Sequence, residues 1–80
     1  MIIMYLVDYG TYFVSMDVDA HDGRGELEVT KNSAEATRFP SMVEAWACWK
    51  EQSTVRPLRL DGKPNRPMTA YTVEMQTVQE

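Results

Sequence analysis

The sequence is short of the residues from which enzymes build active centres. It contains one cysteine, Cys48, and one histidine, His21, among 80 residues. A single thiol cannot form an internal disulfide, which favours a reducing compartment such as the cytoplasm. Nucleophilic catalysis needs a nucleophile beside an oriented base, and no residue close to His21 in sequence supplies one. The sequence therefore predicts no catalytic residues and no enzymatic activity.

Motifs for membranes and for common cofactors are lacking as well. No apolar run approaches the roughly 20 residues that a membrane span needs. Gly23 and Gly25 flank one arginine, but the pattern that follows them is that of a strand. Phosphate-binding glycine loops instead precede a helix, whose N-terminus holds the anion. We expect neither a cofactor nor a membrane segment.

The acidic loop before the third predicted strand partly resembles a calcium-binding loop. Asp17, Asp19 and Glu28 match the first, third and twelfth positions of such a loop. However, Asp22 stands where the sharp turn needs glycine, and His21 replaces the oxygen ligand expected at the fifth position. These departures favour a solvated loop without metal ligands, with calcium binding as an alternative that calorimetric titration would test.

Hydrophobic patterning predicts a single α+β domain over residues 1–80, in the order β-β-β-α-β. Residues 2–7 are apolar throughout, which is typical of a central strand covered on both faces. Residues 11–16, 26–30 and 68–78 alternate between apolar and polar side chains. We expect a four-stranded, mostly antiparallel sheet with one helix packed on one face. The side chains predicted to share a face are Tyr12, Val14 and Met16 on the second strand, Leu27 and Val29 on the third, and Tyr71, Val73 and Met75 on the fourth.

The helix is predicted at residues 42–52. Ser41 has the side chain of an N-cap, and Glu44 follows three residues later as in a capping box. Cys48 falls on the side of the helix away from its predicted apolar face, and Trp49 is the tryptophan nearer the surface. The predicted core-facing residues, at helical spacing, are Met42, Ala45, Trp46 and Trp49.

The charged residues are divided between two segments of opposite sign. Overall, 12 acids exceed 8 bases, which disfavours a general nucleic-acid binder. Residues 8–28 hold six acids and one arginine, whereas residues 56–66 hold four bases and one acid. The predicted partner-binding residues are Asp17, Asp19, Asp22, Glu26 and Glu28 on an acidic face, and Arg56, Arg59, Lys63 and Arg66 on a basic loop.

Each segment has a structural and a functional interpretation. A run of carboxylates is usually a solvated surface, and loop arginines often pair with acids of the same domain. In the functional interpretation, the carboxylates imitate nucleic-acid phosphates and occupy a basic groove of a protein partner. The second functional hypothesis is that the basic loop binds nucleic acid directly, because arginine suits phosphate.

A longer pattern runs through the second half of the chain: Phe39-Pro40-Ser41, Glu44-Ala45, Trp49-Lys50, Gln52-Ser53, Arg56-Pro57, residues 61–67 and residues 69–74. With the hairpin and the loop at 17–25 as its start, the pattern resembles a set of short proteins of unassigned function encoded in phages and prophages of proteobacteria. In size, acidity and phage character, the chain is similar to anti-CRISPR proteins, here of the type that inhibits type I systems.

This resemblance implies a non-enzymatic inhibitor in the host cell cytoplasm. It would bind a host protein or ribonucleoprotein complex and block nucleic-acid binding, without contacting nucleic acid or membrane itself. The resemblance assigns no site residues, because anti-CRISPR proteins share no common site. We expect a monomer or a weak homodimer.

Overall fold

The computed structural model describes residues 1–63, 65 and 67–79. Four antiparallel strands form one sheet in the order β3-β2-β1-β4, which confirms the predicted α+β fold. The main helix, α2, packs across β1. The elements are β1 (Ile2–Leu6), β2 (Thr11–Asp17), the four-residue α1 (Ala20–Gly23), β3 (Glu26–Thr30), α2 (Met42–Trp49) and β4 (Val73–Thr77), with 3-10 turns at Ser33–Glu35 and Pro67–Ala70.

Strand β1 is central and buried, as its continuous apolar sequence predicts. Ile3, Met4 and Leu6 are exposed by 1% or less. A short hairpin joins β1 to β2, and the Gly10 N–H donates to the Leu6 carbonyl at 3.0 Å. Val7 was predicted to be in the strand but lies beyond its end and is 47% exposed.

Strand β2 contains a β-bulge that its sequence does not reveal. The pairing with β3 shifts between Phe13 and Ser15, so Val14 is the extra residue. Thr37 holds the bulge from outside the sheet. Its N–H donates to the Phe13 carbonyl at 3.1 Å, and its hydroxyl donates to the Val14 carbonyl.

The bulge changes which side chains face the core. Phe13 lies in the buried cluster and Met16 packs against it. Simple alternation placed Met16 on the face of Tyr12, and this prediction is wrong because one extra residue reverses the side-chain direction. On β3, Leu27 packs against the core as predicted, whereas Val29 is 39% exposed and therefore not a core residue.

Helix α2 begins where predicted but ends three residues earlier. The Ser41 hydroxyl accepts from the Glu44 N–H at 3.3 Å, which confirms the predicted cap. The Lys50 N–H donates to the Trp46 carbonyl at 3.0 Å, and the Glu51 N–H donates to the Cys48 carbonyl, three residues back, at 3.2 Å. Ser53, Thr54 and Val55, which follow the helix, donate hydrogen bonds to Asp19 and so do not continue it.

The face of α2 that meets the sheet differs from the predicted one. Ala45 is fully buried, and Cys48 and Trp49 pack against the core cluster. The Trp49 indole N–H donates to the Tyr71 carbonyl at 3.3 Å. Met42 is 41% exposed. The predictions that Met42 belongs to the core and that Cys48 faces away from it are therefore wrong.

Trp46, predicted to be the more buried tryptophan, is half-buried like Trp49, but Trp49 is the one that packs against the core cluster. Its ring meets Trp49 edge to face, with centroids 5.5 Å apart. It lines an open groove of about 440 Å³ together with Met42, Val43 and Lys50. Trp49 packs against the core, and the edge-to-face contact places the Trp46 ring against the Trp49 ring.

The last strand is shorter than its alternating pattern predicts. A 3-10 turn occupies Pro67–Ala70, and Met68 within it is completely buried. Val73 and Met75 face the core from β4, as predicted. The chain thus closes the core with a turn and a five-residue strand.

Candidate functional site

Three of the predicted acidic residues form one exposed edge on β2 and β3, here called the acidic edge: Asp17, Glu26 and Glu28. Asp17 and Glu26 lie directly opposite each other in the antiparallel pair. Glu28 lies opposite Ser15, whose hydroxyl donates to Glu28 Oε2 at 3.0 Å. Like charges placed opposite each other on neighbouring strands repel. The acidic edge therefore favours any partner that brings positive charge to it.

In the part of the chain that the structure describes, the acidic edge has one weak ion pair. Among the described residues, the ion pair to these carboxylates is that of His21 Nε2 with Glu26 Oε1, at 3.9 Å. Both side chains are well exposed, and the histidine carries charge only when it is protonated. Exposed pairs of this kind contribute little, so most of the negative charge is available to a partner.

Asp19 was predicted to be part of the acidic face, but its carboxylate is occupied by the chain. Asp19 Oδ1 accepts from the Ser53 hydroxyl at 2.8 Å and from the Thr54 N–H at 2.7 Å. The Val55 N–H reaches the same oxygen at 3.1 Å, and the Thr54 hydroxyl donates to Oδ2 at 2.8 Å. Asp19 therefore joins the acidic loop to the start of residues 53–67, the segment that contains the basic loop and is here called the basic connector.

These hydrogen bonds change the acidity of Asp19. The Thr54 hydroxyl, then the Ser53 hydroxyl and the Val55 N–H, hold the pKa of the Asp19 carboxyl below its ordinary value of 3.8. Donors aimed at a carboxylate favour its charged form. Asp19 consequently stays ionised while it holds the segment that follows α2.

Asp22 lies on the turn that precedes β3, not on the paired strands of the acidic edge. His21 and Asp22 have φ of 52° and 59°, in the left-handed region that residues other than glycine seldom adopt. The turn is closed by the Gly25 N–H, which donates to the Ala20 carbonyl at 2.8 Å.

The described residues contain no group of three or more His, Cys, Asp or Glu side chains placed to hold a metal ion.

The basic connector forms a tight turn around residues 59–63. The Arg59 N–H donates to the Lys63 carbonyl at 2.7 Å, and the Gly62 N–H donates to the Arg59 carbonyl at 2.9 Å. The Arg59 guanidinium lies 3.6 Å from Asp61 Oδ2, which offsets part of its charge. Lys63 is exposed. Arg66, the fourth predicted basic residue, lies outside the described residues.

Arginines from both segments meet in one cavity, here called the arginine cleft: Arg24, Arg56 and Arg59. With Asn65 and two leucines they line a volume of about 180 Å³. Sequence reasoning assigned Arg24 to the acidic segment and missed it as a basic-site residue. Its direct neighbour Gly23 was the available signal, since a glycine at positive φ allows another chain segment to approach closely.

The acidic loop and the basic connector are packed against each other. A Cβ at Gly23 would lie 2.7 Å from the Arg56 Cβ and Cγ. The Asn65 side-chain amide donates to the Gly23 carbonyl at 3.0 Å. The two oppositely charged segments are therefore neighbours on one side of the molecule, not separate poles.

An amphipathic groove lies between the acidic edge and the end of the β1–β2 hairpin, and sequence reasoning did not predict it. The rings of Tyr9 and Tyr71 stand 5.6 Å apart and tilted by 56° at this groove. Its volume is about 550 Å³. Its lining residues are Tyr9, Thr11, His21, Gly25, Glu26, Leu27, Val29 and Tyr71. This set is named the tyrosine groove.

One buried polar atom in the tyrosine groove lacks a partner. Thr11 is 8% exposed, and its hydroxyl makes no hydrogen bond with any described residue. A buried hydroxyl without a partner costs about 1–3 kcal/mol.

Cys48 is partly buried against the core, and burial together with the Glu51 carboxylate raises the pKa of its thiol.

Within the described part of the chain, no helix has the length and apolar character needed to cross a membrane. Comparison of the chain with protein-family models, with curated proteins and with solved structures found no match.

Proposed function

We propose that the chain is a non-catalytic, phage-encoded inhibitor of the anti-CRISPR kind, acting in the cytoplasm of the host cell. It would bind a host protein or ribonucleoprotein effector on a basic surface and so prevent that surface from binding nucleic acid. The observation that carries the proposal is the acidic edge, where Asp17 directly opposes Glu26 and Glu28 follows on the same strand. All three are exposed.

Electrostatics supports this choice of partner. Carboxylates held side by side repel, and arginine or lysine residues of a basic groove would relieve that repulsion on binding. Such a surface also steers diffusional encounter, so association should be fast and should slow as salt rises. A groove that binds nucleic acid is basic for the same reason, and the inhibitor would compete for it.

The structure of the loop narrows the proposed contact residues. Asp19 is assigned a structural role, because its carboxylate oxygens accept bonds from residues 53–55. Asp17, Glu26 and Glu28 are assigned to the contact, and Asp22 lies on the adjacent exposed turn. Reversing Asp19 would test folding, so it does not belong in a test of binding.

The decisive experiment is competition for DNA on purified type I effector complexes. We expect the wild-type chain to be retained by an effector and to displace its DNA. The double variant E26K/E28K should lose binding by at least tenfold, and the loss should shrink at higher salt.

A control with the same change of charge separates a local contact from net charge. Glu51 and Glu74 are exposed, and Glu74 lies on β4, at the opposite edge of the sheet. The variant E51K/E74K should bind like the wild type. Equal weakening by both double variants, or full inhibition by E26K/E28K, would exclude the acidic edge as the contact.

A second candidate function is direct binding of nucleic acid by an accessory protein, and the arginine cleft favours it. Three arginines line one cavity, and the planar guanidinium of arginine suits bidentate contact with phosphate. A gel shift at low and moderate salt with single- and double-stranded DNA and with RNA tests this function. Binding that disappears in R24Q/R59Q supports it, and no shift at low salt removes it.

A further inference from the structure

The tyrosine groove shares one residue with the acidic edge. Glu26 lines the groove and also stands opposite Asp17 in the sheet. We infer that the tyrosine groove receives one arginine side chain of the protein partner, next to the charges that attract it. This inference rests on the proposed function and names a specific recognition pocket for it.

The two tyrosine rings supply faces for a flat cation. Tyr9 is 61% exposed, so much of its side chain is accessible to a ligand in solution. Tyr71 stands 5.6 Å from it, ring centre to ring centre, at a tilt of 56°. A guanidinium placed over such a ring is attracted by the negative face of the π system. The exposure of Tyr9 leaves part of its side chain accessible to a group that enters from solvent.

Polar groups at the same groove match the donors of a guanidinium. The buried Thr11 hydroxyl has no hydrogen-bond partner among residues 1–63, 65 and 67–79, and Glu26 provides a carboxylate. A guanidinium carries five N–H donors in a fixed plane, so one group can reach two acceptors at once. Leu27 and Val29 add an apolar wall along which the methylene stem of an arginine would pack.

Arginine fits this groove better than lysine or a neutral group. An ammonium is a compact and strongly hydrated charge, whereas guanidinium is planar, weakly hydrated and stacks on aromatic rings. A neutral aromatic ligand would bring no cation to Glu26, whose neighbour His21 is charged only when it is protonated. The charge of the neighbouring acidic edge also selects a cation, and a basic protein surface presents arginines.

The test is an NMR titration of the full chain with a tripeptide, N-acetyl-Gly-Arg-Gly-amide. We expect saturable chemical-shift changes at Tyr9, Thr11 and Tyr71. The citrulline peptide, neutral but of the same shape, should cause none, and the lysine peptide should bind about threefold more weakly. Shifts of equal size with the citrulline peptide, or none with the arginine peptide, would overturn the inference.

Variants of Tyr9 separate the contribution of its aromatic ring from that of its phenol hydroxyl. Y9F keeps the aromatic face and should bind the arginine peptide like the wild type, whereas Y9L should weaken it about threefold to tenfold. The matched control is Y12L, because Tyr12 belongs to a different ring pair, with Tyr5, and does not line the groove. Equal weakening by Y9L and Y12L would contradict a specific cation site.

T11V gives a readout that a purely structural role would not. Removing a hydroxyl without a partner should leave the chain at least as stable as the wild type, while affinity for the arginine peptide falls several-fold. A destabilised T11V with unchanged affinity would show that the hydroxyl serves the fold and not the ligand.

The two proposals fail in different ways. If the arginine peptide leaves the groove unchanged but E26K/E28K abolishes effector binding, the proposed function stands and the arginine pocket is wrong. If the groove takes the arginine peptide but no effector is bound, the pocket stands and the inhibitory function is wrong.

Discussion

Asp19 illustrates how neighbours decide what one residue does. By sequence it is one of several aspartates in an acidic loop, and nothing in its flanks separates it from Asp17. Among the described residues, Asp17 accepts the N–H of Asp19, at 3.1 Å, whereas Asp19 accepts bonds from a segment 34 to 36 positions away. The distinction depends on the tertiary path of the chain, and a local pattern contains no record of it.

Ser53 is the buried counterpart of this contact, and its removal should be costly. It is 1% exposed; its hydroxyl donates to Asp19 and accepts from the N–H groups of Val55 and Arg56, each at 3.2 Å. S53A should lower the free energy of unfolding by about 1–3 kcal/mol, because donors are left without acceptors. Urea denaturation measures this. The exposed control S33A should change little, and equal unfolding midpoints for both variants would contradict the prediction.

The lowered pKa of Asp19 makes stability depend on pH in one direction. The unfolded chain titrates near 3.8 and the folded chain below it, so the unfolded state binds more protons in between. This contribution is complete above the unfolded value and is lost as the pH falls through the folded one. Urea midpoints measured from neutral pH to about pH 2 should fall more steeply for the wild type than for D19N. Parallel curves would show that Asp19 is not the group responsible.

At the scale of elements, helix α2 shows which signals in a sequence are local. Its start depends on Ser41 and Glu44, and it is found where those residues predict. Its core face depends on how closely it can approach β1. The small side chain of Ala45 permits close contact, so the helix turns Ala45 inward, while Met42 and Trp46 line an open groove. A small residue at the contact point sets how closely the helix approaches, and Cys48 and Trp49 then pack against the core beside it.

A matched pair of alanines on α2 tests this assignment. Ala45 is fully buried and Ala47 is exposed, so A45L should destabilise the fold by about 1–3 kcal/mol through overpacking. A47L should stay within about 0.5 kcal/mol of the wild type, since it alters only the surface. Thermal and urea unfolding of both variants measure the difference. If A45L left the free energy of unfolding unchanged, the assignment of Ala45 to the buried face would be contradicted, and the sequence prediction that Met42 and Trp46 face the core would be favoured.

The elements that could be predicted are those specified by their own residues. The burial of β1, the order of the strands along the chain and the inward face of β4 all follow from local patterns. The bulge at Val14 could not be predicted, because Thr37 holds it from a distant turn. For the same reason Arg24 was missed: its place beside Arg56 and Arg59 is set by the path of the connector.

Two glycines with the same backbone conformation should differ in importance. Gly25 and Gly62 have φ of 86° and 83°. A Cβ at Gly25 would collide with the Met16 methyl and lie 3.0 Å from Pro67, whereas one at Gly62 meets nothing within 4 Å. G62A should cost about 1–2 kcal/mol from backbone strain alone. G25A should cost about 1–3 kcal/mol more because packing must shift. Equal unfolding free energies would contradict the close approach at Gly25.

At the scale of the whole molecule, function is proposed to lie in one region and not in one residue. The left-handed turn at His21 and Asp22 brings the acidic edge, the tyrosine groove and the arginine cleft next to one another. Asp19 and Gly23 hold the loop to the connector on which two of the arginines stand. A partner that contacts this region meets both signs of charge, which orients it as well as attracting it.

The stability of the folded chain should report directly on the repulsion within the acidic edge. E26Q removes one of two opposed carboxylates and should raise the free energy of unfolding by about 0.2–1 kcal/mol at low salt, with the gain fading as salt screens the pair. E28Q keeps that pair and weakens the bond from Ser15, so it should leave stability unchanged or slightly lower. The difference between the two variants matters more than the size of either effect, because both variants lose one negative charge. If E26Q and E28Q changed stability alike, the opposed carboxylates would not be repelling each other. A basic partner would then have no repulsion to relieve, and the electrostatic basis of the proposed inhibition would be lost.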